Sequence, residues 1–216
     1  MTHQDLAAVQ KELAELRSRV AELEAEAEAA EPASSEWTRH YYLTYYATTG
    51  FFLGMVAALV SLLFNVVGSL LVGQNPLQLI RVYLTFGLGA RALDLQLDKG
   101  DGGLALIIGC CLYVATGMLL GVIFQVVISR IGEATKLGSR LATASVLALV
   151  IWAVNFYVLL SWIQPRLFGG NWITDPNLLP PWVAIATHLV FGWTMALLFP
   201  LGRYEPYTVQ TEEEPQ

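Results

Sequence analysis

The sequence predicts an all-α membrane protein: a polytopic four-helix bundle with one extra amphipathic or re-entrant helix and an N-terminal coiled-coil helix. Three observations carry this. Of the 216 residues 55% are hydrophobic and 14% charged, with a mean hydropathy of +0.52, outside the range of ordinary soluble domains. Four apolar runs are each long enough to cross the ~30 Å hydrocarbon layer, which takes about 20 helical residues. Ahead of them a charged stretch repeats apolar residues in alternating steps of three and four. The formal charge of -6 is not a property of the apolar body. Nine of the 18 acidic residues precede Tyr41 and four follow Tyr204, while between these tyrosines eight Lys/Arg outnumber five Asp/Glu. The acidic balance therefore does not point to a basic ligand, and without a basic stripe nucleic acid is not expected as a partner.

The N-terminal helix is expected over residues 1–31, where Leu6, Val9, Leu13, Leu16, Val20, Leu23, Ala27 and Ala30 form a seam of about three and a half heptads. With Leu6 at a and Val9 at d, Glu12 and Arg19 fall at g, and Arg17 and Glu24 at e. In a parallel pair Glu12 would face Arg17 of a second helix and Arg19 would face Glu24, both attractively. Self-association is favoured over a single solvated helix; Leu and Val mixed at a and d leave two strands or three open. Pro32, Ala33, Ser34 and Ser35 are expected to break the helix, so residues 32–46 read as a linker and interfacial segment. No basic start followed by an apolar run marks a signal peptide, which places the arm in the cytoplasm.

The membrane domain is expected over residues 47–203, with spans at Ala47 to Gly73, Leu104 to Ile128, Leu141 to Ile163 and Trp182 to Leu201. Residues 204–216 read as an acidic, disordered tail. Pro76 to Leu97 is as long as a span but carries Arg81, Arg91 and Asp94. Gln78, Arg81, Thr85 and Gln96 tend to one side, with Leu77, Ile80, Leu84 and Leu88 on the other, as in a helix at the membrane surface. Arg91 and Asp94, three apart, read as a mutually neutralising pair. Four spans leave both termini on one side with Arg39, Arg130, Lys136, Arg140 and Arg203, opposite Lys99 and Arg166, and the positive-inside rule assigns that side to the cytoplasm. Trp37, Tyr41, Tyr42, Tyr45 and Tyr46, and on the far side Trp162, Trp172 and Trp182, are expected interfacial anchors.

Lipid tails provide no hydrophobic drive for helix association, so packing faces need small residues. Gly50, Gly54, Ala58, Ser61, Asn65 and Gly68 supply such a stripe in the first span; Cys110, Gly117, Gly121 and Gln125 in the second; Ala144, Ala148, Trp152 and Asn155 in the third; Ala184, His188, Gly192 and Ala196 in the fourth. At 1.5 Å per residue, Asn65 and Asn155 lie about 12 Å and His188 about 9 Å from the outer ends of their spans. These three are the candidate polar cluster. Hydrogen-bonded glue between helices is the favoured reading, and a pocket or proton-handling site the sharper one. Haem would need a second histidine at depth, and His40 lies at the opposite face. Cys110 and Cys111 read as small buried thiols, because adjacent cysteines do not readily join. No span holds Asp or Glu, and no metal cluster, nucleotide loop or hydrolase motif occurs, so neither a metal nor a cofactor nor an enzyme activity is expected.

The segments NPLQLIRVYLTFGLGARAL, WAVNFYVLLSWIQP and THLVFGWTMALLFPLG, with Asn155, Pro165, His188 and Gly192, resemble the small bacterial inner-membrane proteins of the YagU-like group over residues 75–202. The resemblance implies a four-span bundle without an assigned activity and leaves the coiled-coil arm outside it. The leading expectation is a non-catalytic scaffold or accessory subunit, possible company being a respiratory membrane assembly by analogy, held as a homo-oligomer or complex in the bilayer. The alternatives are a small channel or transporter passing Asn65, Asn155 and His188, and a quinone- or lipid-binding protein using His188 and the tryptophans near it. The topology is directly testable: cysteines introduced at Glu133 and Asn171 should label from opposite faces of the membrane, and labelling of both from one face would exclude four spans.

Overall fold

The computed structural model describes residues 3–71, 73–98, 102–130 and 136–204; for 3–11, 14 and 27–41 the description is of the backbone. Leu6, Val9 and His40 therefore lie outside the described side chains, and the acidic tail beyond Tyr204 outside the described residues. The described residues are mostly helical, with no strand among them. Its helices are α1 (His3–Leu71), α2 (Gln78–Leu88), α3 (Gly103–Arg130), α4 (Leu137–Ala153), α5 (Ser161–Phe168) and α6 (Pro181–Leu198). A π-helical segment, Val154–Leu160, joins α4 to α5, and 3₁₀ turns at Gly89–Asp94 and Phe199–Gly202 follow α2 and α6. Two compact units divide between Thr44 and Tyr45.

In the first unit the backbone is helical across Pro32 to Ser35, against the expected break. A proline inside a helix removes one hydrogen-bond donor and crowds the preceding turn, but here the flanking Glu/Ala-rich and aromatic segments continue the helix on both sides. Leu13, Leu16, Val20 and Leu23 are 44 to 61% exposed along one face. Arg19 pairs with Glu22 of its own helix at 3.1 Å, both side chains well exposed, a contact worth little in water.

Four helical stretches, Tyr42–Leu71, whose first three residues belong to the first unit, Gly103–Arg130, Leu137–Phe168 and Pro181–Gly202, are long and apolar enough to cross a bilayer. The protein is a multi-pass membrane protein. Its exposed side chains, among them Phe52, Leu63, Leu119, Val146 and Val158, are the kind that face hydrocarbon, whereas the interior combines small residues at the helix crossings with large apolar ones such as Phe124, Phe199 and Met195 and a few polar ones. The tightest crossing is between α1 and α3. A Cβ on Gly54 would stand 2.5 Å from the Gly117 carbonyl oxygen and 2.8 Å from the Gly121 Cα, and one on Gly50 would stand 2.6 Å from the Gly121 carbonyl oxygen. No larger residue fits without moving backbone. Farther along, Ala58 sits at Gly117, and Ser61 meets Tyr113. Side-chain size thus grows along the crossing, and the two helices diverge away from the glycine end. On the other flank α6 packs on α4, with Gly192 against the Ala144 carbonyl (3.0 Å from a Cβ there) and Ala148 (3.3 Å). Tyr45 contacts Tyr204 and Tyr46 stacks on Phe199, so the start of the first span and the end of the fourth lie side by side.

Helix α2 is not a fifth span. Its 11 residues extend about 16 Å, and Gly89, at φ 58°, turns the chain at its end. It does not float with a polar face to water either. Leu79, Ile80, Val82, Leu84 and Thr85 are all buried and Leu88 is exposed, so the expected polar and apolar sides are not the solvent and membrane sides. Gly109 makes room for Ile80 and Leu84, and Tyr83 packs edge-on against Tyr113, which seats α2 beside the first turns of α3, in the re-entrant manner. Arg81 is half-buried, and Arg91 and Asp94 are exposed without forming an ion pair; the 3₁₀ turn replaces the α-helix on which their pairing was expected.

A buried clamp holds α2. Gln164 of α5, with no solvent exposure, donates through Nε2 to the Thr85 hydroxyl at 2.9 Å and accepts the Ile173 backbone N–H at Oε1, also at 2.9 Å. Thr85 in turn donates to the Val82 carbonyl. One side chain therefore joins the re-entrant helix, the end of the third span and the loop that follows it. Gln164→Leu leaves the Ile173 N–H and the Thr85 hydroxyl without their partner and should cost about 1 to 3 kcal/mol, measured as a lower unfolding free energy in bicelles, with Gln164→Glu failing to restore it.

Candidate functional site

Where α1 and α3 diverge, a cavity of about 290 Å³ lies between α1, α2, α3, the π segment and α6. Its aromatic walls are Tyr83, Phe86, Tyr113, Phe124, Phe156 and Phe191, set edge to face at Phe124–Phe191 (ring centroids 5.3 Å apart) and Tyr83–Tyr113 (5.0 Å). The polar lining consists of Ser61, Thr116, Asn155, Thr187 and His188 with the two tyrosine hydroxyls, and no Asp, Glu, Lys or Arg reaches it. The third wall depends on the π segment. Its wider turn, ahead of Pro165 inside α5, carries Phe156 to a buried position while Tyr157, Val158 and Leu159 stay exposed. Such π turns occur frequently at functional sites.

Of the three residues of the expected polar cluster, two line the cavity and one does not. Asn65 is saturated by its neighbours: its amide nitrogen donates to the Ser61 carbonyl at 2.8 Å and to the Thr187 hydroxyl at 2.9 Å. The Thr187 hydroxyl has one proton, with Asn65 Oδ1 at 3.1 Å and the Val183 carbonyl at 2.7 Å as its acceptors. Ser61 and Tyr113 share a 2.7 Å hydrogen bond. These pairs join α1 to α6 and α1 to α3, and Asn65 is not part of the cavity wall. Asn65 is thus one hydrogen bond away from the wall, through Thr187. Asn155 and His188 do line the cavity. His188 Nδ1 lies 2.8 Å from the Ala184 carbonyl oxygen. A carbonyl only accepts, so Nδ1 holds the proton and Nε2 of the neutral ring keeps a lone pair. The imidazole edge also meets Phe156, centroids 5.9 Å apart.

Spacing alone singles out neither Tyr83 and Tyr113 nor Thr187 and Gln164. Tyr113, a hydroxyl in the middle of an apolar span, and Gly109, two turns before Gly117 on the same stripe, were the available signals. Burial pushes the Tyr83 phenol well above its usual pKa, and nearby Tyr113 adds to this, so the group stays a neutral donor. The tryptophans stand apart from the site. Trp162 and Trp182 are 60% and 61% exposed, Arg166 lies over the Trp162 ring at 4.1 Å, and none of the tryptophans lines the cavity. Nor are the cysteines fully buried thiols: Cys110 is half-buried against the core and Cys111 exposed, both free. Among the described residues no group of three His, Cys, Asp or Glu side chains is placed to hold a metal.

No family model matches the chain, and no curated protein or solved structure matches it either.

The division between glue and cavity residues is measurable as stability. Asn65→Leu removes a fully engaged amide and leaves Thr187 one partner short, and it should lower the unfolding free energy in bicelles by about 0.6 to 2 kcal/mol. His188→Gln and Asn155→Leu should each change it by less than about 0.5 kcal/mol; equal losses at all three positions would mean one cooperative network.

Proposed function

We propose that the protein is a scaffold or accessory subunit of a larger membrane assembly, recruited through its N-terminal helix. The observation that supports this is the exposed apolar seam of Leu13, Leu16, Val20 and Leu23. On an otherwise charged helix, four large apolar side chains at heptad spacing lose little by folding alone and gain by burial between helices. At ~25 cal/mol per Å², covering each such side chain is worth on the order of 1 to 2 kcal/mol. A parallel pairing of two copies also brings Glu12 to Arg17 and Arg19 to Glu24, and in that arrangement Arg19 exchanges its own-helix partner Glu22 for an intermolecular one. The membrane unit fits this role, because its polar side chains mostly bind one another and no catalytic constellation is assembled among the described residues. The reading places the arm and both ends of the membrane unit in the cytoplasm of a bacterial cell, with the unit in the inner membrane, as loop charge and the YagU-like resemblance imply.

Replacing Leu13, Leu16 and Val20 together by Ser removes the centre of the seam while leaving every membrane helix unaltered. Mass determination of the full chain in mild detergent should then give a single copy in place of an oligomer, or loss of a copurifying subunit, with normal membrane insertion. An assembly of unchanged mass would overturn the proposal.

A further inference from the structure

The cavity has a chemistry of its own that an assembly role does not use. Among its polar groups, Ser61 and Tyr113 satisfy each other, and Thr187 is engaged by Asn65 and the Val183 carbonyl. The Thr116 hydroxyl donates to the Leu112 carbonyl. Three groups on the wall have hydrogen-bonding capacity left: the His188 Nε2 lone pair, the Asn155 amide and the Tyr83 hydroxyl. They come from three different elements, α6, the π segment and α2, and line one chamber together with six aromatic rings. All three side chains are half-buried on the chamber wall, and a ligand seated there gains from groups whose bonding the protein has not already taken up.

The lining also says which ligand. With no charged residue in the wall, neither a phosphate nor an ammonium head would be countered. Flat, face- and edge-presenting aromatic walls suit a planar ring, and about 290 Å³ is at the small end of ligand pockets, the size of a single ring with its substituents. Because His188 Nδ1 holds the proton, Nε2 accepts, and the ring it meets must donate: a hydroxyl. Asn155 and Tyr83 can donate to a second oxygen on the same ring. Part of the chamber's α3 wall is Leu112, Thr116 and Leu120, at i, i+4 and i+8, beside Tyr113 and Phe124. Leu112 is 42% exposed to what would be hydrocarbon, while α3 packs on α4 and α6 but scarcely on the π segment. A tail can therefore leave sideways between α3 and the π segment into the bilayer.

We propose that this cavity binds the hydroxylated aromatic head of a lipid-soluble phenol or hydroquinone, with His188 Nε2 accepting its hydroxyl proton and its apolar tail passing the Leu112 mouth into the membrane. This assignment is independent of how the N-terminal helix assembles.

The test uses the full chain in nanodiscs and three probes of matched tail: 4-octylphenol, its methyl ether 4-octylanisole, and octylhydroquinone under argon. Calorimetric titration should show saturable binding of the phenol about tenfold tighter than of the ether, the size expected from one buried hydrogen bond. His188→Phe keeps a ring against Phe156 and removes the acceptor, and it should erase that difference. Leu112→Trp, at a half-exposed position outside the core, should weaken every probe about tenfold or more by closing the mouth. A hydroquinone tighter than the phenol assigns the natural ligand to the two-hydroxyl class, and equal affinities assign it to the one-hydroxyl class. Non-saturable partitioning of all probes, equal binding of phenol and ether, or a preference for the phenol that survives His188→Phe would each overturn the proposal.

Discussion

Everything in the membrane unit depends on how closely two backbones can approach in a solvent that gives apolar side chains no reason to associate. Lipid is as good a neighbour for leucine as another helix is, so the stabilising contacts must come from van der Waals packing of main chain and from hydrogen bonds between helices. The α1–α3 crossing meets this demand with Gly50, Gly54, Gly117 and Gly121, whose Cα atoms and carbonyl oxygens occupy the space a Cβ would need. The same stripe then enlarges, through Ala58 to the Ser61–Tyr113 pair, and the helices part. The aromatic chamber is the geometric consequence of that gradient: tight contact at one end and a tyrosine-wide gap at the other, closed by α2 and the π segment.

Polar residues in the bundle divide according to which side of this divergence they serve. Asn65 with Thr187 and Ser61 with Tyr113 bridge helices at the point where glycine packing gives out, replacing contact area by hydrogen bonds. Gln164 performs the same service for α2, reaching across to Thr85 and to the Ile173 backbone. His188 and Asn155, although on the small-residue faces of their spans, are not consumed in this way. Asn155 stands in the π segment and His188 on α6. Seven residues wound more widely than an α-helix move Asn155 off the continuous stripe begun by Ala144 and Ala148, both fully buried, and leave its amide on the chamber wall.

Much of the architecture was legible because membrane spans and their contact faces obey simple rules. Length and apolarity place four helices, and small residues recurring every fourth position identify Gly50, Gly54, Gly117, Gly121 and Gly192 as sites of close approach. What was not legible depends on partners far away in sequence. Thr85 reads as a solvent-side residue until Gln164, 79 positions later, is known to meet it, so α2 looked like a surface helix. Asn65, Asn155 and His188 share a depth, but depth does not say which way each is turned, and the π segment has no signature beyond Pro165 a turn or more downstream. The chamber gathers a few residues from each of five helical elements and from the loop before α6, and no local pattern records it. Pro32 shows the opposite limit, a strong local breaker that the surrounding helix overrides.

The claim on which this account rests is that backbone contact at the glycine crossing, and not glycine content as such, holds the bundle. Two Gly→Ala substitutions in the same membrane unit separate these. Gly68 has nothing within 4 Å of where its Cβ would stand, whereas a Cβ on Gly121 would stand 2.5 Å from the Gly54 Cα. Measured as unfolding free energies in bicelles, Gly68→Ala should be neutral or stabilising by up to about 1 kcal/mol through helix propensity, and Gly121→Ala should destabilise by about 1 to 3 kcal/mol through overpacking. The same sign and size of change at both positions would contradict the account.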